Sequence, residues 1–305
     1  MNTAQVLKAA RIHLLELGGH IFDVLSVAKP VSPEAAVNLT KVISKLSPLV
    51  GNMIEFNTVE FLNGQPEFEG LGHWKRQDPG FPDTIFEGSV SPTPGFEIKA
   101  WFPLATEITA RFKDSQNHFL QDQTEVCMLA WLPEKLIYGR PRILDVCVVS
   151  ALSVAQARDN HYHKPPGYLV LEPEDTKQRT RNLQQTNTNG FKWQGTMEQL
   201  VEAKKFVAGW GSEGMVYKPT AEYQLKLREL IGRYPYRLDT NFAKMDRIRH
   251  DDIEAFKARV LRTEYMGATV EEWSRVLCSD NDGKIKEALE RKLDIKEEDP
   301  KKLIR

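Results

Sequence analysis

A chain of 305 residues can bury a large core, and 41% hydrophobic with 27% charged residues is an ordinary globular composition, not a disordered or membrane-embedded one. No apolar run reaches membrane-spanning length and the N-terminus lacks a signal-peptide pattern. The scattered Cys127, Cys147 and Cys278 exclude a disulfide framework or zinc ribbon, so a reducing, cytoplasmic address without membrane association is expected. The net charge of −1 gives no overall attraction for polyanions, so such affinity has to come from a local patch.

Along the chain, Leu14, Leu17, Ile21 and Leu25 recur at helical spacing and predict an amphipathic helix over 3–27. Ser32-Pro33 and Ser47-Pro48 each read as an N-cap followed by proline at the first helical position, predicting one helix that ends before Ser47 and a second that runs to about Leu62. The second is apolar around most of its circumference (Leu49, Val50, Met53, Ile54, Phe56, Val59, Phe61, Leu62), as a buried helix is. Its one polar stripe is Gly51, Asn52, Glu55 and Thr58. A β-unit follows over 80–102, then a helix over 104–120 that carries Arg111 and Lys113. Apolar runs of strand length fall at 126–132 and 143–150, a helix at 151–160 and a short strand at 168–171. Beyond Gly232 the pattern changes to short helices, with capping boxes at Asp251-x-x-Glu254 and Thr269-x-x-Glu272, and a charged tail over 294–305. Strands interleaved with helices predict an α/β fold: a central mixed β-sheet flanked by helices over 1–232, with a helical appendage over 233–305.

Within the β-unit, Phe96 and Ile98 alternate with Glu97 and Lys99, so the two charged side chains leave one face of a strand and the two apolar ones the other. Asp83 opens the run Thr84-Ile85-Phe86, and pairing across the turn-rich link 88–95 would set Asp83 beside Glu97. Carboxylate oxygens at that place suit a hard cation such as Mg²⁺, which can lower the pKa of a bound water and polarise a phosphoryl oxygen. Lys99, on the same face, is positioned to orient the attacking water or to stabilise charge on the phosphorus. Glu55, a carboxylate in the middle of an apolar helix, needs a cation or a metal as partner and is the candidate third acid, with Glu60 and Glu87 as weaker ones. A core salt bridge for Glu55 is the equally weighted alternative.

Pro82, Asp83, Glu97 and Lys99 together resemble the PD-(D/E)xK nuclease superfamily, over about residues 45–115. The resemblance implies a restriction-endonuclease-like core and a metal-dependent DNA endonuclease, most often a type II restriction enzyme. It also implies Asp83, Glu97 and Glu55 as Mg²⁺ ligands, Lys99 as a catalytic residue, double-stranded DNA as substrate and a homodimer. A cognate DNA methyltransferase is expected in the same system, but not as a physical partner. A repair or branched-DNA nuclease of the same superfamily and a non-catalytic DNA-binding protein remain the alternatives.

The polar segment 174–194 holds Lys177, Arg179, Arg181, Asn182, Gln184, Gln185 and Lys192, side chains of the kind that reads guanine, adenine and phosphate. Beside a nuclease core it is expected to be an inserted recognition loop. The basic stretch from Arg233 to Arg262 reads as a solvated helical face. His161 and His163 lack further ligands nearby and read as part of a rigid loop before Pro165-Pro166, not as a zinc site. The cluster His73-Trp74-Lys75-Arg76 is expected to touch a phosphate backbone or to cap a loop.

Overall fold

Three strands in the first hundred residues close on one another because each contributes large apolar side chains to the same side. The computed structural model describes residues 1–77, 82–104, 122–162, 191–193, 196–211, 214, 221–234, 236–238, 249–293 and 295–298. The strands β1 (Gly72–Arg76), β2 (Thr84–Gly88) and β3 (Gly95–Trp101) form an antiparallel run, in which Trp74 faces Phe86 and Thr84 faces Phe96. Phe68 packs against Trp74 and Phe86, and Trp74 in turn against Phe86 and Phe96, with ring centroids 5.2–5.7 Å apart and the rings tilted or edge-on. β4 (Thr124–Pro133) runs parallel to β3, and β5 (Pro141–Ser150) runs antiparallel to β4, so the sheet is mixed with order β1-β2-β3-β4-β5.

Side chains alternate across this sheet. Phe96, Ile98, Cys127, Leu129, Val146 and Val148 point into the main core with the helices α1 (Thr3–Glu16) and α2 (Pro33–Asn63). Glu97, Lys99, Trp101, Met128, Cys147 and Asp145 lie on the other face. There α6 (Asp251–Arg262) packs, through Phe256 on Trp101 and Arg259 on Asp145, the last at 2.9 Å. The expected α/β fold with a central mixed sheet flanked by helices is what the chain adopts.

Several boundaries differ from the sequence reading, each for a physical reason. The first helix stops at Glu16, not at 27, because Gly18 and Gly19 follow and Gly19 takes φ +86°, a left-handed conformation open to glycine. The chain then runs along the outer edge of β5: Phe22 and Val27 donate backbone hydrogen bonds to Pro141 and Gly139, and Ile143 donates to His20. The two helices expected on either side of Ser47-Pro48 are one helix, α2, with Pro48 inside it. Pro48 leaves the Ser44 carbonyl without its helical donor, at a cost of about 3 kcal/mol. Ile43, Val50 and Ile54, buried on both sides of the proline, together offset more than that, at roughly 1.5–3 kcal/mol each. The helix is not buried all round, since Val42, Leu49 and Phe56 stand about half exposed. His73-Trp74-Lys75-Arg76 is not a loop cap but the strand β1, and the Asn63 side chain both accepts from the Trp74 amide (2.7 Å) and donates to the Trp74 carbonyl (2.9 Å).

The C-terminal helices form the expected helical region and pack on the sheet core. One compact unit comprises residues 1–108, 119–152 and 250–305, and the other 109–118 and 153–249. Thr269 caps α7 (Val270–Leu277) in the predicted capping box with Glu272, whereas α6 begins one residue early, with His250 at the cap and Asp251 already helical. α8 (Asp282–Leu293) docks on α2, where Lys41 meets Asp282 and Lys286 meets Glu34. The tail is tied down at 295–298: Ile295 is buried and Glu298 donates its amide to Val31. Within Arg233–Arg262, Lys257 is buried and Arg259 pairs with Asp145, so that stretch is not simply a solvated face.

In the second unit, the helices α4 (Met197–Ala208) and α5 (Ala221–Arg233) enclose Leu200, Ala203, Val207, Tyr223, Leu230 and Tyr234. The short strands β6 (Phe191–Trp193) and β7 (Tyr236–Leu238) pair antiparallel there. Two small strands, β8 (Glu264–Tyr265) and β9 (Ala268–Thr269), and the helix α3 (Ala151–Tyr162) complete the described elements. The expected helix over 104–120 and strand over 168–171 fall, save Leu104, outside the described residues.

Candidate functional site

Pairing of Thr84 with Phe96 continues one step further, and this step builds the site. Asp83 stands opposite Glu97 beyond the last backbone pair of β2 and β3. Two reciprocal hydrogen bonds join the residues: the Asp83 amide donates to Glu97 Oε2 (3.2 Å), and the Ile98 amide donates to Asp83 Oδ2 (2.7 Å). The Asp83 carboxylate thus takes the place of a strand partner for β3. Lys99, two residues along the same face, lies 2.5 Å from Glu97 Oε1 and 3.4 Å from Asp83 Oδ2. The expected juxtaposition of Asp83, Glu97 and Lys99 is therefore present in space.

Glu55 joins them from α2. The helix packs against β3 at Gly51, where an added Cβ would lie 3.5 Å from the Ala100 side chain, and Glu55 follows one turn later. Its carboxylate lies 4.0 Å from the Arg76 guanidinium. The core salt bridge considered for Glu55 thus has a partner in Arg76, while the fields of Asp83, Lys99 and Glu97 also reach it. Glu60 is exposed and Glu87 is engaged by Lys75 at 2.6 Å, so neither serves as the third acid.

Burial and mutual repulsion set the charges. Burial, then the Asp83 carboxylate, push the pKa of Glu55 up to about 7, against the opposing pull of Lys99 and Arg76. Glu97, with 5% of its surface exposed, is pushed up to about 6 by burial and by Asp83, although Lys99 pulls the other way. Burial lowers the Lys99 ammonium, but Glu97 and Asp83 outweigh it and hold the pKa above the ordinary lysine value. Two carboxylates whose charge is disfavoured by burial therefore face a firmly protonated lysine. Asp83 Oδ1 makes no hydrogen bond or ion pair among the described residues.

The donor set consists of carboxylate oxygens, which suits a hard divalent cation and not zinc or copper. Among the described residues no group of three or more His, Cys, Asp or Glu side chains is preassembled at metal-holding distance. Mg²⁺ is commonly held by one or two carboxylates together with substrate phosphates, so Asp83 and Glu97 are a sufficient protein contribution.

Two residues of the site were missed by the sequence reading. Gln77 donates its amide to the Asp83 carbonyl (2.7 Å) and its side chain to the Pro82 carbonyl (2.9 Å). Gly95 leaves room for proline, because a Cβ there would stand 2.5 Å from Pro82 Cγ. Neither carries a local signal; only the register of β1 against β2, with Arg76 opposite Thr84, places Gln77 beside Asp83. Of the expected DNA contacts, Lys177, Arg179, Arg181, Asn182, Gln184 and Gln185 lie outside the described residues. Lys192 lies in β6, its side chain likewise undescribed. His161 falls in the last turn of α3, in place of the expected loop, and His163 lies outside the description. No described helix is long and apolar enough to cross a membrane. The chain matches no family model, no curated protein and no solved structure.

Proposed function

We propose that this protein is a sequence-specific, Mg²⁺-dependent endonuclease of double-stranded DNA, of the PD-(D/E)xK superfamily and of the type II restriction kind. The observation that carries the reading is the Asp83–Glu97–Lys99 cluster: two carboxylates and an ammonium within 3.4 Å, on adjacent antiparallel strands, with Glu55 behind them.

Phosphodiester hydrolysis places a water on phosphorus in line with the leaving oxygen and gathers negative charge on the phosphoryl oxygens. Bound by Asp83 and Glu97, Mg²⁺ would supply Lewis-acid polarisation of the phosphoryl oxygen and acidify a water. Lys99, kept protonated by its carboxylate neighbours, offers a hydrogen bond and a full positive charge to the developing anion. Asp83 is held rigid by the Ile98 amide, which keeps its second oxygen available. Arg76 moderates the charge of Glu55 at the back of the cluster.

The polar segment 174–194 supplies the proposed base and phosphate contacts, with Lys177, Arg179, Arg181, Asn182, Gln184, Gln185 and Lys192 in that role. The homodimer belongs to the same proposal, since cutting both strands of a symmetric site matches a two-fold protein. The rival is a non-catalytic DNA-binding protein in which Lys99, Glu97 and Asp83 form a structural ion cluster. The raised pKa values of Glu55 and Glu97 favour the nuclease, because carboxylates paired for stability alone are expected to be held below their ordinary values.

The test is incubation with phage DNA in Mg²⁺ and in EDTA, resolved on a gel. Discrete magnesium-dependent fragments are expected; nicks or a smear redirect the reading to a repair-type nuclease. Intact DNA on several differently methylated substrates, with binding retained, assigns the cluster to structure.

A further inference from the structure

The residue that fixes Asp83 is, we infer, Gln77: it is a positioning residue that pins both backbone carbonyls around the site aspartate. It rests on the nuclease reading only for what Asp83 does, not for what holds Asp83 in place.

Asp83 sits one step before the backbone pairing of β2 with both β3 and β1, so the ladder on the β3 side does not set its φ and ψ and the β1 side reaches it only through Gln77. Its conformation has to be set from outside. The peptide plane before it has the Pro82 carbonyl on one side and the Asp83 amide on the other. The carbonyl accepts from Gln77 Nε2 at 2.9 Å, and the amide donates to Glu97 Oε2 at 3.2 Å. The plane after it is held through the Asp83 carbonyl, which accepts from the Gln77 amide at 2.7 Å. With both flanking planes anchored, the two soft backbone torsions of Asp83 are determined. Its side chain is then aimed by one further bond, from the Ile98 amide to Oδ2.

Gln77 supplies two of these four bonds and is the only contributor from β1's end of the sheet. Its side chain, partly exposed, had water as an alternative partner, yet its amide is committed to a backbone carbonyl. Pro82 contributes the complementary steric half. It has no amide to misdirect, and its ring occupies the space above Gly95 that a Cβ would fill. The Pro-Asp pair is thus explained by packing and hydrogen bonding: proline seats on Gly95, glutamine ties the carbonyls, and the aspartate carboxylate is presented at the end of the sheet. A catalytic group must be held to within about 0.5 Å by such supporting contacts, which is why this anchorage reaches activity.

Gln77→Met preserves the length and bulk of the side chain and the backbone amide, and removes the side-chain amide with the donor that Pro82 accepts from. Amide hydrogen exchange read residue by residue by NMR, in wild type and Gln77→Met, tests the anchorage without any reference to DNA. Exchange at Asp83 and Ile98 is expected to accelerate about tenfold, with Leu129 in the centre of the sheet unchanged. In the cleavage assay the half-saturating Mg²⁺ concentration is expected to rise about fivefold, as the loss of one hydrogen bond implies, with DNA affinity in EDTA unaltered. Wild-type exchange at Asp83 and Ile98 in the variant overturns the inference, as does equal acceleration at Leu129. So does an active variant with an unshifted Mg²⁺ requirement. If the wild type leaves DNA intact while the variant still loosens Asp83 and Ile98, the positioning role stands and the nuclease reading falls. If the wild type cuts and the variant matches it in both measurements, the reading stands and the inference falls.

Discussion

The two faces of β3 differ sharply: one is apolar and buried, the other carries charge. Phe96 and Ile98, both fully buried, lock into the aromatic packing of Trp74, Phe86 and Phe68. Glu97 and Lys99, one residue away in each case, sit among like and unlike charges that burial makes costly. The comparison teaches how a small segment of backbone can hold a group of charges that would otherwise rearrange. The apolar face supplies the free energy and the rigidity, and the charged face uses them to keep two carboxylates closer than their repulsion favours. Stability and chemistry are thereby separated to opposite sides of the same seven residues.

That separation can be broken or sharpened by substitution, beginning where the effect is largest. Trp74→Ala removes the ring that touches Phe68, Phe86 and Phe96, and is expected to cost about 3–5 kcal/mol, a large fraction of the stability of a typical domain. Urea or thermal unfolding followed by circular dichroism checks it. Glu97→Gln acts on the other face: cleavage is expected to fall on the order of 10³-fold, while the melting temperature in EDTA at pH 8 is equal to or above that of the wild type. A matching loss of stability in Glu97→Gln breaks the comparison.

Glu55→Gln sharpens it through pH. The folded pKa of Glu55 lies near 7, above its ordinary value of 4.5, so the folded state binds more protons than the unfolded state between those values. Stability contributed by protonated Glu55 is complete below pH 4.5 and is lost as pH rises through 7. The glutamine variant is therefore expected to match the wild type near pH 4.5 and to exceed it by about 1–3 kcal/mol at pH 8 in EDTA, read by denaturant titration. The smallest effect belongs to the solvent side of α2. Leu49→Gln, at a residue 54% exposed, is expected to change stability by no more than about 0.5 kcal/mol.

What the sequence disclosed follows from the range over which each signal acts. The alternation of Phe96, Glu97, Ile98 and Lys99 is a local, period-two signal, and the strand, its two faces and the placement of Asp83 opposite Glu97 were all legible from it. The apolar runs of β4 and β5 were equally direct. β1 was not, because Trp74 is its only buried side chain and a lone tryptophan between His73 and Lys75 carries no periodicity. Missing β1 meant missing Gln77, whose role exists only in the register across β1 and β2. Pro48 misled in the opposite direction. Ser-Pro is a sound local signal for a helix start, but the tertiary burial of Ile43, Val50 and Ile54 overrode it. Glu55 was legible as an anomaly, a carboxylate in an apolar helix, while its pairing with Arg76 required the sheet to be assembled first.

The treatment of the sheet's margins has a consequence for self-association. At one margin residues 19–27 are hydrogen-bonded along β5, and at the other Asn63 occupies both backbone groups of Trp74 in β1. A strand with its amide and carbonyl already engaged offers no template to an incoming chain, so this sheet is protected against growth by strand addition and the aggregation that follows from it. Two copies that meet at this sheet are therefore expected to do so through helices or side chains, and replacing Asn63 would open the β1 margin at Trp74.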